Sequence, residues 1–353
     1  MMQFSCLIRK LLFMHPPENL LSDWRQRALQ LQTEIRKAVV GLDDPVHKVI
    51  VAIFARGHVM LEGDVGVGKT TLLRTVAHTL GGAYERIEGT IDLLPNDLIY
   101  HTYIDTDGKP RVDPGPLLKH GDALSIFFFN EVNRARPQVH SLLLRVMAER
   151  SVSAFNRTYS FPHLQVFADR NRVEKEETFE MPSAARDRFL MELRIELPDD
   201  PELRTALMFD PRFHYVDELI AQLEAGVVPY REIDTAARLI QEQVRASAAL
   251  QRYALSLWQA TWKPGDFGVR LDDVDMEELI AAGASARGMS MLLRAARVQA
   301  WLEGRNYLIP EDLQSLFHEV VGHRIFLKPV YELQREQLIP RLTQAILDRV
   351  AAP

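Results

Sequence analysis

The chain has 353 residues, 47% hydrophobic and 25% charged, with 42 Lys plus Arg against 48 Asp plus Glu and a formal charge of −6. That length suits two or three domains with an ample core, and the mildly acidic balance speaks against wholesale nucleic-acid binding, which needs clustered cations. Cys6 is the single cysteine, so no intrachain disulfide can form and stability does not rest on an oxidising compartment.

The opening MMQFSCLIRKLLFMHPP mixes apolar and basic residues. A secretory signal places its charges ahead of an unbroken apolar run; here Arg9 and Lys10 interrupt the run and Pro16-Pro17 end it. The expectation is a short amphipathic or disordered extension, or a true start at Met14, on a cytoplasmic protein. No run is long enough to span a bilayer. Leu21, Trp24, Leu29, Leu31 and Ile35 recur at helical spacing and predict a helix over 18–38, followed by another from about Asp44 to Arg56. Val59-Met60-Leu61 is a short apolar strand running into a glycine-rich turn. From there strands and helices alternate to about Leu197, the pattern of an α/β fold with a mostly parallel sheet covered by helices on both faces. Character changes near Pro198-Asp199-Asp200-Pro201. Helical patterns then follow over 214–224, 231–262, 274–281, 286–304, 310–319 and 331–350. The expected organisation is an N-terminal extension and helix over 1–34, an αβα nucleotide-binding core over 35–198, and an all-helical lid over 199–353.

The turn Gly63-Asp64-Val65-Gly66-Val67-Gly68-Lys69-Thr70 fits G-x-x-x-x-G-K-[ST]. Its glycines let the backbone curl so that N–H groups point at phosphates. The helix beginning near Lys69 and Thr71 aims its positive end at the same anion. Lys69 is expected on the β- and γ-phosphates of ATP and Thr70 on Mg²⁺. A strand before the loop and a helix after it are the context this motif requires. No Asn-Lys-x-Asp segment for guanine recognition occurs in the chain.

Ser125-Ile126-Phe127-Phe128-Phe129-Asn130-Glu131 is an apolar strand with a polar end, the place of the Walker B site. There an Asp helps hold Mg²⁺ and the next Glu activates water. Glu131 is present as the base, but Asn130 stands where the Asp is expected. An amide carbonyl can accept a hydrogen bond from metal-bound water yet brings no negative charge. Weaker Mg²⁺ affinity or slower hydrolysis is therefore expected.

Asn130-Glu131-Val132-Asn133-Arg134-Ala135 resembles the D-E-x-N-R-A of MoxR-family AAA+ ATPases. The stretch Arg86 to Asp97, RIEGTIDLLPND, is similar to that family's R-I-Q-x-T-x-D-L-L-P-x-D. Val40-Gly41-Leu42-Asp43 resembles its V-V-G-Q box, and Gly283-Ala284-Ser285-Ala286-Arg287 with Leu292 to Arg297 its G-A-S-x-R…L-L-R-A-A-R. Tyr307 and Pro310-Glu311-Asp312-Leu313 match Y-x-x-P-E-D-V. The likeness runs from about residue 35 to 325.

The resemblance implies further assignments. Val40 and Gly41 would lie near the adenine. Phe167-Ala168-Asp169-Arg170-Asn171 stands where the family has F-A-T-Q-N-P, which makes Asn171 the sensor 1 residue that orients the attacking water; Arg172 replaces the proline. Asp187-Arg188-Phe189 matches D-R-F and makes Arg188 the arginine finger serving a neighbouring subunit, with Arg186 a nearby competitor. Pro182-Ser183-Ala184 lacks the Glu of P-E-A. Arg287 matches sensor 2. The hairpin predicted over Tyr100 to Val112, turning at Asp107-Gly108, falls where the resemblance places a client- or pore-facing insert, with Tyr100 and Tyr103 as candidate gripping aromatics. A second hairpin is predicted over Val152 to Phe161, around Asn156-Arg157. The implied protein is an ATP hydrolase working as a homo-oligomer, a hexamer, on a protein client, with a von Willebrand factor A domain partner and metalloenzymes such as methanol dehydrogenase among the family's clients. Two other readings stay open: a nucleotide-binding scaffold or switch with weak turnover, fed by Asn130 and Ser183, and a nucleic-acid motor. The acidic balance and the lack of an obvious helix-turn-helix weigh against the last.

Overall fold

The computed structural model describes residues 17–171, 179 and 181–353. The N-terminal extension, Cys6, Met14 and Arg172 lie outside the described residues. The chain divides into two compact units, one of Arg27–Phe189 with Leu193–Asp234, the other of Leu190–Glu192 and Thr235–Pro353 together with the segment ending at Gln26.

In chain order the first part of the fold comprises α1 (Pro17–Ala38), α2 (Asp43–Phe54), β1 (His58–Glu62), α3 (Lys69–Leu80), β2 (Ala83–Glu88), β3 (Tyr100–Ile104), β4 (Pro110–Pro114), β5 (Leu124–Asn130), α4 (Pro137–Glu149), β6 (Ser151–Ala154), β7 (Arg157–Ser160), β8 (Gln165–Arg170), α5 (Ser183–Arg186), β9 (Phe189–Arg194), α6 (Pro201–Phe209) and α7 (Val216–Ala221). Five strands form one sheet in the order β2-β5-β8-β1-β9, and the β2–β5, β5–β8 and β1–β8 pairs are parallel. All seven residues of β5 are buried, as its unbroken apolar run requires of a strand covered on both faces. Phe127, Phe129, Val166 and Ala168 pack with Val139, Leu143 and Val146 of α4 in a single apolar cluster. Loops leaving the carboxyl ends of β1, β5 and β8 meet where an open α/β sheet reverses its winding, the usual place for a ligand.

Both predicted hairpins form. β3 and β4 pair with Thr102 opposite Val112, and Asp105 closes the turn by accepting the Asp107 and Lys109 N–H groups, each at 2.9 Å. β6 and β7 pair with Ala154 opposite Arg157, so the turn residues are Phe155 and Asn156, with φ of 51° and 56°, one position earlier than the predicted Asn156-Arg157. Two successive left-handed residues are what a two-residue turn needs to match strand twist. The rings of Tyr100 and Phe155 pack at a tilt of 53° with centroids 5.1 Å apart, while Tyr103 is exposed.

The second unit contains α8 (Ile233–Gln243, its first two residues in the other unit), α9 (Ala248–Trp262), α10 (Met276–Leu279), β10 (Ile280–Ala282), α11 (Ala286–Leu302), α12 (Pro310–Val321), β11 (Phe326–Leu327), α13 (Pro329–Glu332) and α14 (Arg335–Arg349). It is a helical lid with one addition, the antiparallel β10–β11 ribbon. The single helix expected over 231–262 is broken between α8 and α9. The Arg245 N–H donates to Asn306 O (3.0 Å) and the Leu308 N–H donates to Arg245 O (2.9 Å), which takes the backbone out of the helical ladder. Ser247 then caps the new helix by accepting the Leu250 N–H at 3.1 Å,. The Pro-Glu-Asp segment opens α12: Asp312 is buried, accepts the Ile309 N–H at 2.9 Å, and receives both Arg305 Nη atoms at 2.7 and 2.6 Å,. Among the described residues no helix is long and apolar enough to cross a membrane.

Candidate nucleotide site

The loop between β1 and α3 has the shape its glycines promise. Gly66 and Gly68 take φ of 82° and 91°, and a Cβ on either would meet nothing within 4 Å, so the concavity is open. Gly63 is different: a Cβ there would strike the Ile195 carbonyl, whose own N–H donates to Glu62 O at 2.7 Å. Asp64 and Val65 are exposed at the tip, Val67 and Thr70 partly so, and α3 starts at Lys69 with Thr70 and Thr71 in its first turn. The first N–H groups of α3 have no helical acceptor ahead of them, which suits an anion.

Lys69 is buried and all three of its protons are used. Nζ donates to Gly63 O at 2.7 Å and to Asn171 Oδ1 at 2.7 Å, and lies 3.0 Å from Asp169 Oδ2. Asn171, directly after β8, passes the contact on: its Nδ2 donates to Glu131 Oε1 at 3.0 Å. Arg134 Nη1 donates to the other oxygen of Glu131 at 2.9 Å. The Glu131 backbone N–H donates to Asp169 Oδ1 at 2.5 Å, and Glu131 sits in the left-handed region at φ 52°, a strained setting for a non-glycine residue. Gly89 backs this turn. Its N–H donates to Asn130 O at 2.7 Å, and a Cβ on it would fall on the Glu131 carbonyl. His140 of α4 donates from Nε2 to Val132 O at 2.7 Å, and burial holds its imidazole below the ordinary histidine range,.

Lys69, Glu131, Asn171 and the loop glycines therefore meet at one place. Asn130 is buried at the end of β5. The residue missed by sequence reasoning is Asp169, whose side chain is 1% exposed. Burial pushes its carboxyl above the ordinary aspartate value, against the pull of the Lys69 charge and the Glu131 N–H,. The departure that could have revealed it is Asp169-Arg170 in place of Thr-Gln. Both substituents are paired, Arg170 through Nη2 to Glu62 Oε2 at 2.8 Å. Val40 is partly buried, and Gly41 has φ 76° with a Cβ position 2.6 Å from Pro198 Cβ, so only glycine fits there. Arg188 is partly exposed and donates from Nη1 to Ala184 O at 2.9 Å. Arg287 belongs to the other unit, exposed in the first turn of α11, after Ser285 caps that helix by accepting the Gly288 N–H at 3.0 Å.

Residues 58–191 match the family described as ATPase family associated with various cellular activities (AAA), and residues 274–348 match an AAA lid domain. The chain is 59% identical to Protein MoxR of Methylorubrum extorquens, over 96% of this chain and 99% of that one. It is 51% identical to Protein MoxR of Paracoccus denitrificans (94% and 98% covered) and 33% identical to Chaperone MoxR1 of Mycobacterium tuberculosis (91% and 81%). A crystal structure of a candidate ATPase from Cytophaga hutchinsonii superposes with a TM-score of 0.81 at 28% identity, covering 97% of this chain and 99% of that one. With a parallel five-stranded sheet, a phosphate loop after β1, a helical lid and these relatives, the chain belongs to the MoxR family of AAA+ ATPases.

Proposed function

We propose that this chain binds ATP with Mg²⁺ on the loop 63–70 and hydrolyses it within a homo-oligomeric ring in the cytoplasm, using the cycle to remodel or mature a protein client. The observation that carries the reading is the closed network Lys69–Asn171–Glu131 at the open mouth of the loop. Lys69 is poised to exchange Asn171 and Asp169 for phosphate oxygens. Asn171 would hold Glu131 and the attacking water together, with Glu131 accepting the proton. Among the described residues no group of three His, Cys, Asp or Glu side chains could hold a metal alone, so a divalent cation here would arrive with the phosphates, on Thr70 and through water on Asn130. Bound Mg²⁺ would supply charge neutralisation of the phosphates. Val40 and Gly41 would border the adenine, and Arg287 would serve the γ-phosphate from the lid.

Arg188 is assigned to a neighbouring subunit's γ-phosphate, so turnover requires assembly. A hexamer, a von Willebrand factor A domain partner and a metalloenzyme client of the methanol dehydrogenase kind extend the reading by family likeness. The test mixes two inactive proteins, Glu131→Gln and Arg188→Ala. Each alone should lose phosphate release by about a thousandfold or more. Mixed in equal parts they should recover it, because about a quarter of randomly formed head-to-tail interfaces pair an intact Glu131 with an intact Arg188. Arg188→Ala with full turnover, or no recovery in mixed rings of confirmed composition, excludes the finger. Wild-type protein that releases no phosphate at saturating ATP, with or without client, leaves the scaffold reading in its place.

A further inference from the structure

A cation bound beside phosphates needs negative charge from the protein, and β5 ends in the neutral amide of Asn130. The neighbouring strand makes good the deficit. β5 and β8 are parallel and in register through Phe129 opposite Ala168, so the next residue on each strand is Asn130 and Asp169. Asp169 is a buried carboxylate with two contacts. Oδ1 takes the Glu131 N–H, and Oδ2 faces Lys69 Nζ at 3.0 Å. A triphosphate offers Lys69 stronger acceptors. When Lys69 turns to them, Oδ2 loses the positive charge that compensates it, and a buried carboxylate left bare is costly. A cation at the phosphates is the natural replacement.

We propose that Asp169 carries the negative charge absent from Asn130, so that the acid serving the bound magnesium stands on β8 and not on β5. The inference rests on the ATP-binding reading above. It has a specific consequence: releasing Lys69 to phosphate and admitting Mg²⁺ are coupled through one carboxylate. Nucleotide should bind poorly without the metal because Asp169 would then face the phosphates unpaired.

The experiment reads binding, not turnover. Affinity for a fluorescent, non-hydrolysable ATP analogue is measured in EDTA and in excess Mg²⁺, and the ratio of the two is compared among variants. The full-length wild type should show a large Mg²⁺-dependent gain. Asp169→Asn should lower that gain by about 10- to 100-fold, the range for removing a partner that orients a metal's ligands, chiefly by binding better in EDTA and worse in Mg²⁺. The swap Asn130→Asp with Asp169→Asn should restore it, since it returns one carboxylate to the same end of the sheet. A residue that merely supports the fold would not be rescued from the neighbouring strand. An unchanged gain in folded Asp169→Asn overturns the proposal, as does a folded swap that binds the analogue with no Mg²⁺ gain. If Asp169→Asn does not fold, the swap alone decides. A wild type with no affinity for the analogue in Mg²⁺ refutes the nucleotide-binding reading instead.

Discussion

Replacing the phosphate-loop lysine is the usual way to abolish nucleotide binding, but Lys69→Ala in this chain should also destabilise the empty protein. Lys69 compensates Asp169, whose side chain is 1% exposed. Without the ammonium, Asp169 has two options. It can stay ionised, at the about 3–5 kcal/mol typical of a buried pair broken on one side. It can also take a proton, which at pH 7 costs about 1.4 kcal/mol for each unit above its ordinary value, or about 4 kcal/mol in all. The cheaper route sets the loss at about 3–4 kcal/mol, a large share of a typical domain's stability. The sign with pH follows. In the variant the folded-state pKa of Asp169 rises further, so the folded protein holds a proton that the unfolded chain has released. The deficit should shrink as pH falls from 7 toward 5, by up to about 1.4 kcal/mol per unit. Adding Asp169→Asn should recover most of it at pH 7. All four tryptophans, Trp24, Trp258, Trp262 and Trp301, belong to the other unit, so their fluorescence is the wrong probe. Hydrogen exchange on peptides covering 124–130 and 165–170 in a urea series reports the right one. Lys69→Ala within about 1 kcal/mol of wild type at pH 7, with no benefit from Asp169→Asn, would refute the argument, because a buried carboxylate cannot lose its cation at so little cost.

Glycines of the site should separate by role. Gly89→Ala places a methyl group on the Glu131 carbonyl and should cost about 1–3 kcal/mol by overpacking together with loss of phosphate release. Gly66→Ala meets nothing and should cost only the left-handed strain, about 1–2 kcal/mol; thermal melts and phosphate-release assays on both variants check the contrast. Asn171→Ala removes the link between Lys69 and Glu131, so turnover should fall while nucleotide affinity, measured by equilibrium binding, changes little. Acid should destabilise the nucleotide unit through His140. Its folded-state pKa lies below the ordinary 6.5, so the unfolded chain binds the extra proton, and stability present above that value declines as pH falls through it. His140→Gln keeps a donor for Val132 O without titrating, and should flatten that decline in urea midpoints measured from pH 7 to 5.5.

The phosphate loop was readable because its signal is local: eight consecutive residues between an apolar strand and a helix start. Asn130-Glu131 was readable for the same reason, as the polar end of a four-residue apolar run. Asp169 was not. An acid near the end of an apolar strand reads as a boundary residue, and the groups that give it meaning, Lys69 and the Glu131 N–H, are distant in sequence. Only the departure from Thr-Gln pointed to it. The break between α8 and α9 was hidden likewise: no glycine or proline marks it, and Arg245 leaves the helix for backbone partners at Asn306 and Leu308. The turn of the 151–160 hairpin slipped by one because Phe155, poorly suited to a left-handed conformation, occupies it.

A carboxylate that moves from β5 to β8 keeps its charge near Lys69 but acquires a new mechanical role. Adjacent strands lie about 4.8 Å apart, so the shift preserves attraction to the lysine. What differs is the second oxygen, which takes the N–H of Glu131 and so helps hold that residue at φ 52°. Strain of this kind, about 1–3 kcal/mol, persists only while its surroundings enforce it. Any occupant that draws Asp169 away from Glu131 loosens the turn that holds Glu131, and any occupant that fixes Asp169 fixes Glu131 as well. Under the proposal for Asp169, metal binding and orientation of Glu131 would be a single event, and substitutions at Asp169 should disturb the position of Glu131 even where nucleotide affinity survives.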